Sequence, residues 1–244
     1  PRRIFLGFLS KTARLYTDVF FVRAQYYLHT RKKLNLKSPE TFNEKLQWLK
    51  LYDRKPEYTT MADKILAKKH VAKNIGDEYI VPTYGIWDDF NDINFNKLPN
   101  QFVLKPNHSG GNNGVVICKN KSDLNVDNIK KKINKSLKSN LYYKTREWPY
   151  KNIEPKILAE EFLDDGNIGG IWDYKFYCFN GSPKLMLIAT ERNSGNTKFN
   201  YFDMNFKPLD FQQGGEKNKI SFQKPAHFDL MIELAKKLSK NIPH

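Results

Sequence analysis

The chain has 244 residues, of which 40% are apolar and 14% aromatic, enough to bury a core in one large or two small domains and too apolar for a disordered chain. Cys118 and Cys178 lie sixty positions apart, fit neither a zinc spacing nor a disulfide framework, and read as buried free thiols in a reducing cytosol. The net charge of +15 is uneven, because residues 1 to 37 hold nine Lys or Arg against the single acid Asp18 and supply +8 of it.

That first segment also contains IFLGFL and FFVRAQYYL. A basic, aromatic, amphipathic stretch can rest on an anionic membrane surface, or form a pair of helices packed on the body with a solvated basic face. No signal peptide and no run of about 18 apolar residues is visible. The reading is a cytoplasmic protein, peripheral at the inner face of the membrane if residues 1 to 37 meet lipid. A first residue Pro1 rather than Met points to a fragment or a processed chain.

SPETFNEKLQWLKLYDR, residues 38 to 54, reads as a helix with Ser38 as N-cap and Pro39 at the first helical position. Phe42, Leu46, Leu49 and Tyr52 recur at helical spacing within it. Residues 60 to 75 read as one further helix, ended by Gly76. Residues 79 to 87 are short and β-like, interrupted by Pro82. FVLKPNHSGGNNGVVI follows at 102 to 117: an apolar run closed by Lys105, a polar loop with Gly110, Gly111 and Gly114, and a second apolar run. The loop is either a slack hairpin connection or a flexible cover whose backbone N–H groups close over phosphates, with Lys105 beneath. It is neither a Walker A motif nor a dinucleotide fingerprint.

Residues 126 to 141 carry Ile129, Ile133, Leu137 and Leu141 at helical steps, with a solvated face of lysines between them. KILAEEFL, 156 to 163, is a buried strand running into Glu160 and Glu161. Residues 171 to 190 form the clearest hairpin, with Asn180-Gly181 as its two-residue turn. Alternation puts Asp173 and Lys175 on one face of its first strand, where a bare surface ion pair would contribute little. FNYFD, 199 to 203, suggests another strand, and residues 227 to 240 a last helix with Phe228, Met231, Leu234, Ala235 and Leu238 on one face. Helices and strands mix without βαβ regularity, so the fold class is α+β.

The ordered set DK (63–64), FVLKPNHSGGNNGVVI, KILAEEFL and DYKFYCFNGSPKLM resembles the ATP-grasp superfamily. LNLKSPETFNEKLQWLKLYDR, REWPYKNIEPKILAEEFL and DYKFYCFNGSPK look like its TupA-like branch, over roughly residues 34 to 244. The resemblance implies two α+β lobes gripping ATP between them. Domain expectations follow: a basic helical segment at 1–37, a helical region at 38–100, a small lobe with the glycine-rich loop at 101–160, and the start of a large lobe at 161–244. It implies ATP and Mg²⁺ as cofactors, and a carboxylate and an amine as substrates, joined through an acylphosphate. One of the two substrates would belong to a bacterial surface-polysaccharide precursor.

Site residues are carried over by the same resemblance. Lys64 and Lys105 match the lysines near the α- and β-phosphates. His108, Ser109, Gly110, Gly111, Asn112, Asn113 and Gly114 match the glycine-rich loop. Glu160, Glu161, Phe162 and Leu163 match the hinge that meets adenine. Asp173 matches an acid near ribose and Lys175 a cation near phosphate. Arg192 is the candidate for the transferred phosphate or the acceptor carboxylate, and Asp203 the candidate metal ligand, with a strand-end structural acid as its alternative. The family's main Mg²⁺ carboxylates fall on strands expected after residue 244, so the metal site is expected to be incomplete within these residues and their turnover poor.

Two other functions compete. Some relatives are labelled glycosyltransferases, which would call for a D-x-D-type metal motif; Asp88-Asp89 lacks that spacing. The charge and the aromatics could suit a non-enzymatic nucleic-acid binder, but no RNA-binding signature occurs and 26 acids dilute the field. No nucleic-acid partner is expected.

Overall fold

The basic N-terminal segment folds as two helices, α1 (Arg2–Lys11) and α2 (Asp18–Thr30). They belong to a computed structural model that describes residues 2–167, 169–192, 195–212 and 214–243. The chain divides into two compact units, residues 1–70 with 81–162 and residues 71–80 with 163–244. In the first, α1 buries Leu9, the turn after it Ala13, and α2 Phe21, Val22 and Tyr26. Arg146 holds the two helices down. Its Nη2 donates to the carbonyls of Ala13, at 2.5 Å, and Tyr16, at 3.1 Å, and its guanidinium lies 4.3 Å from the Phe21 ring centroid. Its Nε sits 3.0 Å from Asp18 Oδ1, an ion-pair approach without hydrogen-bond alignment, and its buried Nη1 has no hydrogen-bond partner.

Helix α3 (Phe42–Tyr52) begins later than the Ser38-Pro39 signal predicts. Thr41 is the N-cap and forms a full capping box with Glu44, satisfying two otherwise orphaned N–H groups at once. The expected helix over 60–75 is two helices, α4 (Pro56–Ala62) and α5 (Lys64–Ile75). Asp63 separates them with extended backbone, and its carboxylate caps α5 by accepting from the N–H of Ile65 at 2.8 Å.

A four-stranded antiparallel sheet follows, in the order β1 (Thr83–Trp87), β4 (Ile157–Glu161), β2 (Phe102–Pro106), β3 (Val116–Cys118). Helix α6 (Val126–Leu137) packs Ile129 and Ile133 with Phe102, Leu104, Cys118, Ile157 and Ala159. A short helix, α7 (Tyr142–Thr145), leads to Arg146. Because side chains alternate along a strand, Val103 and Lys105 of β2 and Leu158 and Glu160 of β4 lie on the face away from that core.

The second unit holds an antiparallel sheet ordered β5 (Asp173–Phe179), β6 (Ser182–Thr190), β7 (Lys198–Phe202). The β5–β6 turn has φ of 49° at Asn180 and 75° at Gly181, the left-handed pair a two-residue hairpin needs. Helix α8 (Phe228–Leu238) closes this core through Phe228, which joins Met186, Ile188 and Phe202. Cys118 is buried and Cys178 half-buried, and both are free.

Candidate functional site

Three lysines gather at the first unit's sheet face. Lys105, near the end of β2, pairs with Glu160 of β4, one diagonal step across the sheet. Lys68, one helical turn after Lys64 on α5, reaches the same carboxylate at 2.8 Å and also donates to the Thr83 hydroxyl at 2.8 Å and to the Val81 carbonyl. Lys64 donates to the carbonyls of Asn107, at 3.3 Å, and Ser109, at the root of the glycine-rich loop. Burial first, and then the neighbouring charge of Lys105, pulls the Lys64 ammonium from an ordinary 10.5 to about 8. Glu160 thus pairs with two of the ammonium groups, and the buried Asp63 carboxylate is the nearer countercharge of Lys64. Lys68 is not among the residues that motif matching singles out; its signal was the helical spacing of DKILAK, which sets it on the face of Lys64.

The loop is anchored at both ends and open between. Asn107 is fixed on several sides: its amide donates to Asp63 Oδ2 and the Glu154 carbonyl, its backbone N–H donates to the Lys156 carbonyl, its side-chain oxygen accepts from the Lys156 N–H, and its carbonyl accepts from the Lys64 N–H. His108 Nε2 lies 3.0 Å from the Ser139 carbonyl, and burial lowers the imidazole pKa. The Ser109 hydroxyl donates back to the Pro106 carbonyl at 3.3 Å. Gly114, at φ 79°, is buried against Pro106 and Ser136. Only Gly111, Asn112 and Asn113 form an exposed tip, with half-buried Gly110 beside it. Of the seven loop residues singled out by sequence, the ends build the frame and the tip is what can cover a ligand.

Beside Lys105 the sheet face turns apolar. Ile117 stands opposite Val103, and Val103 opposite Glu160. Ile117 is an exposed isoleucine on a strand and was also missed; its place in the apolar run hid which face it takes. Glu161 is held in the sheet, its N–H donating to the Pro82 carbonyl at 3.0 Å, and the passage from the first unit to the second falls between Phe162 and Leu163.

The remaining candidates lie in the second unit. Asp173 Oδ2 receives Lys175 at 2.6 Å and also pairs with Arg192. The spacing argument that set Asp173 and Lys175 on one face therefore has a geometric counterpart, to which the end of β6 adds Arg192. Next to Arg192, Glu191 has φ 55°, pairs with Lys198 at 3.0 Å and accepts from Asn218 Nδ2 at 3.3 Å. Asp203 closes the turn after β7, its Oδ1 accepting from the N–H groups of Asn205 and Lys207 at 2.9 and 2.8 Å. Among the described residues no group of three or more His, Cys, Asp or Glu could hold a metal ion. The donor set suits a polyanion and does not by itself form a Mg²⁺ site.

The first unit thus carries an antiparallel sheet with a glycine-rich loop between two of its strands, and the chain passes from it to a second α+β unit. Residues 44–244 match the family described as TupA-like ATPgrasp, and the chain belongs to that family. ATP-grasp proteins generally use ATP and Mg²⁺, and membership suggests ATP-dependent ligase activity. No curated protein and no solved structure matches the chain.

Proposed function

We propose that this protein is a carboxylate–amine ligase that works through an acylphosphate and attaches an amino acid or another amine to a bacterial surface polysaccharide or its precursor. The observation that supports it most is the excess of cations in one place: Lys64, Lys68 and Lys105 against Glu160 and Asp63. Half-buried ammonium groups lacking equal countercharge favour a polyanion, and a triphosphate supplies one. Lys105 and Lys64 would lie along the α- and β-phosphates, with the Gly110–Asn113 tip over them. Ile117, Glu161 and Phe162 would border the adenine. Within the second unit, the family resemblance gives Asp173 a role at ribose, and Lys175 and Arg192 roles at the transferred phosphate and the acceptor carboxylate.

In this reading the carboxylate oxygen attacks the γ-phosphorus, the bond to the bridging oxygen breaks, and ADP leaves. The amine then adds to the acyl carbon and phosphate departs with the C–O bond. The residues here contribute fixed positive charge where negative charge develops, so no solvent has to reorganise at that moment. The test supplies ATP, Mg²⁺, an amino acid and a uronic acid-containing precursor. ADP and phosphate should appear in step with amide, and hydroxylamine should trap a hydroxamate that depends on the carboxylate substrate. Release of UDP from a UDP-sugar with no ATP requirement would overturn the proposal in favour of glycosyl transfer.

A further inference from the structure

The N-terminal helices settle only half of their own chemistry. Their inner faces are buried against the first unit, as a packed pair would be, yet large apolar side chains remain outside. Leu15 is 80% exposed, Phe8 59%, Phe20 53% and Tyr27 49%. Leu15 and Phe20 flank the corner between α1 and α2, and Val19 is exposed there as well. Along α2, Phe20, Arg23 and Tyr27 fall at i, i+3 and i+7, which is one stripe of a helix, and Arg31 is the left-handed C-cap that follows. All four are exposed, while Phe21, Val22 and Tyr26 are buried on the other side.

The charge on this surface is of one sign. Lys11, Arg14, Arg23, Arg31, Lys32, Lys33 and Lys37 are exposed, and among the described residues none of them forms an ion pair. The only acid of the segment, Asp18, is turned inward onto Arg54 at 2.6 Å, Arg146 and the Tyr142 hydroxyl. The fold therefore removes the one negative charge and leaves the cations beside aromatic and aliphatic side chains. A polyanion in solution would need the cations but not Leu15, Phe8 or Phe20. A surface that offers anionic headgroups next to an apolar interior uses both. No described helix is long and apolar enough to cross a membrane.

We infer that the α1–α2 corner docks on an anionic phospholipid surface, with Leu15, Val19 and Phe20 entering the headgroup–acyl boundary and Arg14, Arg23 and Arg31 on the headgroups. This contact does not depend on the ligase reading, since it requires neither ATP nor substrate. The test is cosedimentation of the whole chain with vesicles of phosphatidylcholine alone and of phosphatidylcholine mixed with phosphatidylglycerol, without nucleotide. Binding should be confined to the anionic vesicles and weaken as salt is raised. Leu15→Ser with Phe20→Ser should lower partitioning by about tenfold or more, while leaving retention on heparin unchanged. Each of Arg23→Gln and Arg31→Gln should lower it by about fivefold. These positions are exposed, and matching thermal melts would show that the variants fold. Absence of binding to the anionic vesicles, undiminished binding by the serine variant, or equal binding to phosphatidylcholine alone would overturn the inference.

Discussion

At Lys64 burial and function pull in opposite directions. Desolvation and Lys105 depress its pKa to about 8, whereas a bound triphosphate would favour the charged form. The sign follows from linkage. Between about 8 and the unfolded value of 10.5 the folded chain holds fewer protons than the unfolded one, so this group makes stability rise with pH across that window. Nucleotide binding should reverse the local preference and take up a fraction of a proton near pH 8 to 9. Calorimetry in buffers of different ionisation enthalpy will read that uptake, and Lys64→Met should abolish it. Lys105→Ala should weaken ATP by about tenfold or more, since it removes a charge-assisted contact, without unfolding the strand end. Lys68→Ala separates the two α5 lysines that reach the site: it frees Glu160 to pair with Lys105 alone, and ATP affinity should fall less than in Lys105→Ala. A titration in which Lys105→Ala binds ATP as the parent does would remove that residue from the site.

At the scale of single elements, the glycine-rich loop offers an internal control. A β-carbon at Gly114 would lie 2.7 Å from Ser136 Cβ and 2.8 Å from Pro106 Cγ, and φ there is 79°. Gly114→Ala should therefore destabilise the first unit by about 2 kcal/mol. Gly111 also has positive φ, but a β-carbon there would meet nothing within 4 Å beyond its chain neighbours. Gly111→Ala should cost about 1 kcal/mol of backbone strain and show its main effect on nucleotide affinity. Equal loss of melting temperature in the two variants would contradict the division of the loop into frame and tip. The N-terminal staple gives a second test. Burial raises the Asp18 pKa, but the Tyr142 hydroxyl, Arg54 and Arg146 outweigh it and hold the carboxyl below its ordinary value. A depressed carboxylate stabilises the fold above its unfolded pKa and loses that contribution as pH falls through the folded one. Asp18→Asn should cost about 3 kcal/mol, because Arg146 stays buried without its counter-ion, and the acid limb of the stability curve should become shallower. Urea unfolding at pH 7 and at successively lower pH measures both.

For the whole molecule the clearest discriminator is ligand-linked stability. ATP at a hundred times its dissociation constant should add about 2.7 kcal/mol, seen as a shift in melting temperature, while UDP-sugars add almost nothing. The reverse pattern would sink the ligase reading.

Much of this molecule was legible as sequence. The hairpin about Asn180-Gly181 was readable because left-handed backbone at both turn positions selects those residue types. The Lys105 strand end and the loop were readable because glycines between two apolar runs leave few local alternatives. The N-cap at Ser38 and the unbroken helix over 60–75 went wrong because capping is a competition. Thr41 with Glu44 satisfies more donors than Ser38 does, and Asp63 is pinned from outside its own helix by Asn107. Local pattern determined the α+β class and the residue types of the glycine-rich loop, and the ordered motifs carried the resemblance to the family, since these depend on neighbours in sequence. Only the tertiary structure decided that Glu160 faces two lysines, that Lys68 joins Lys64, that Ile117 borders the site and that Asp18 turns away from solvent. Each of those depends on strand register or on contacts between distant segments, and a single chain read in order carries no register.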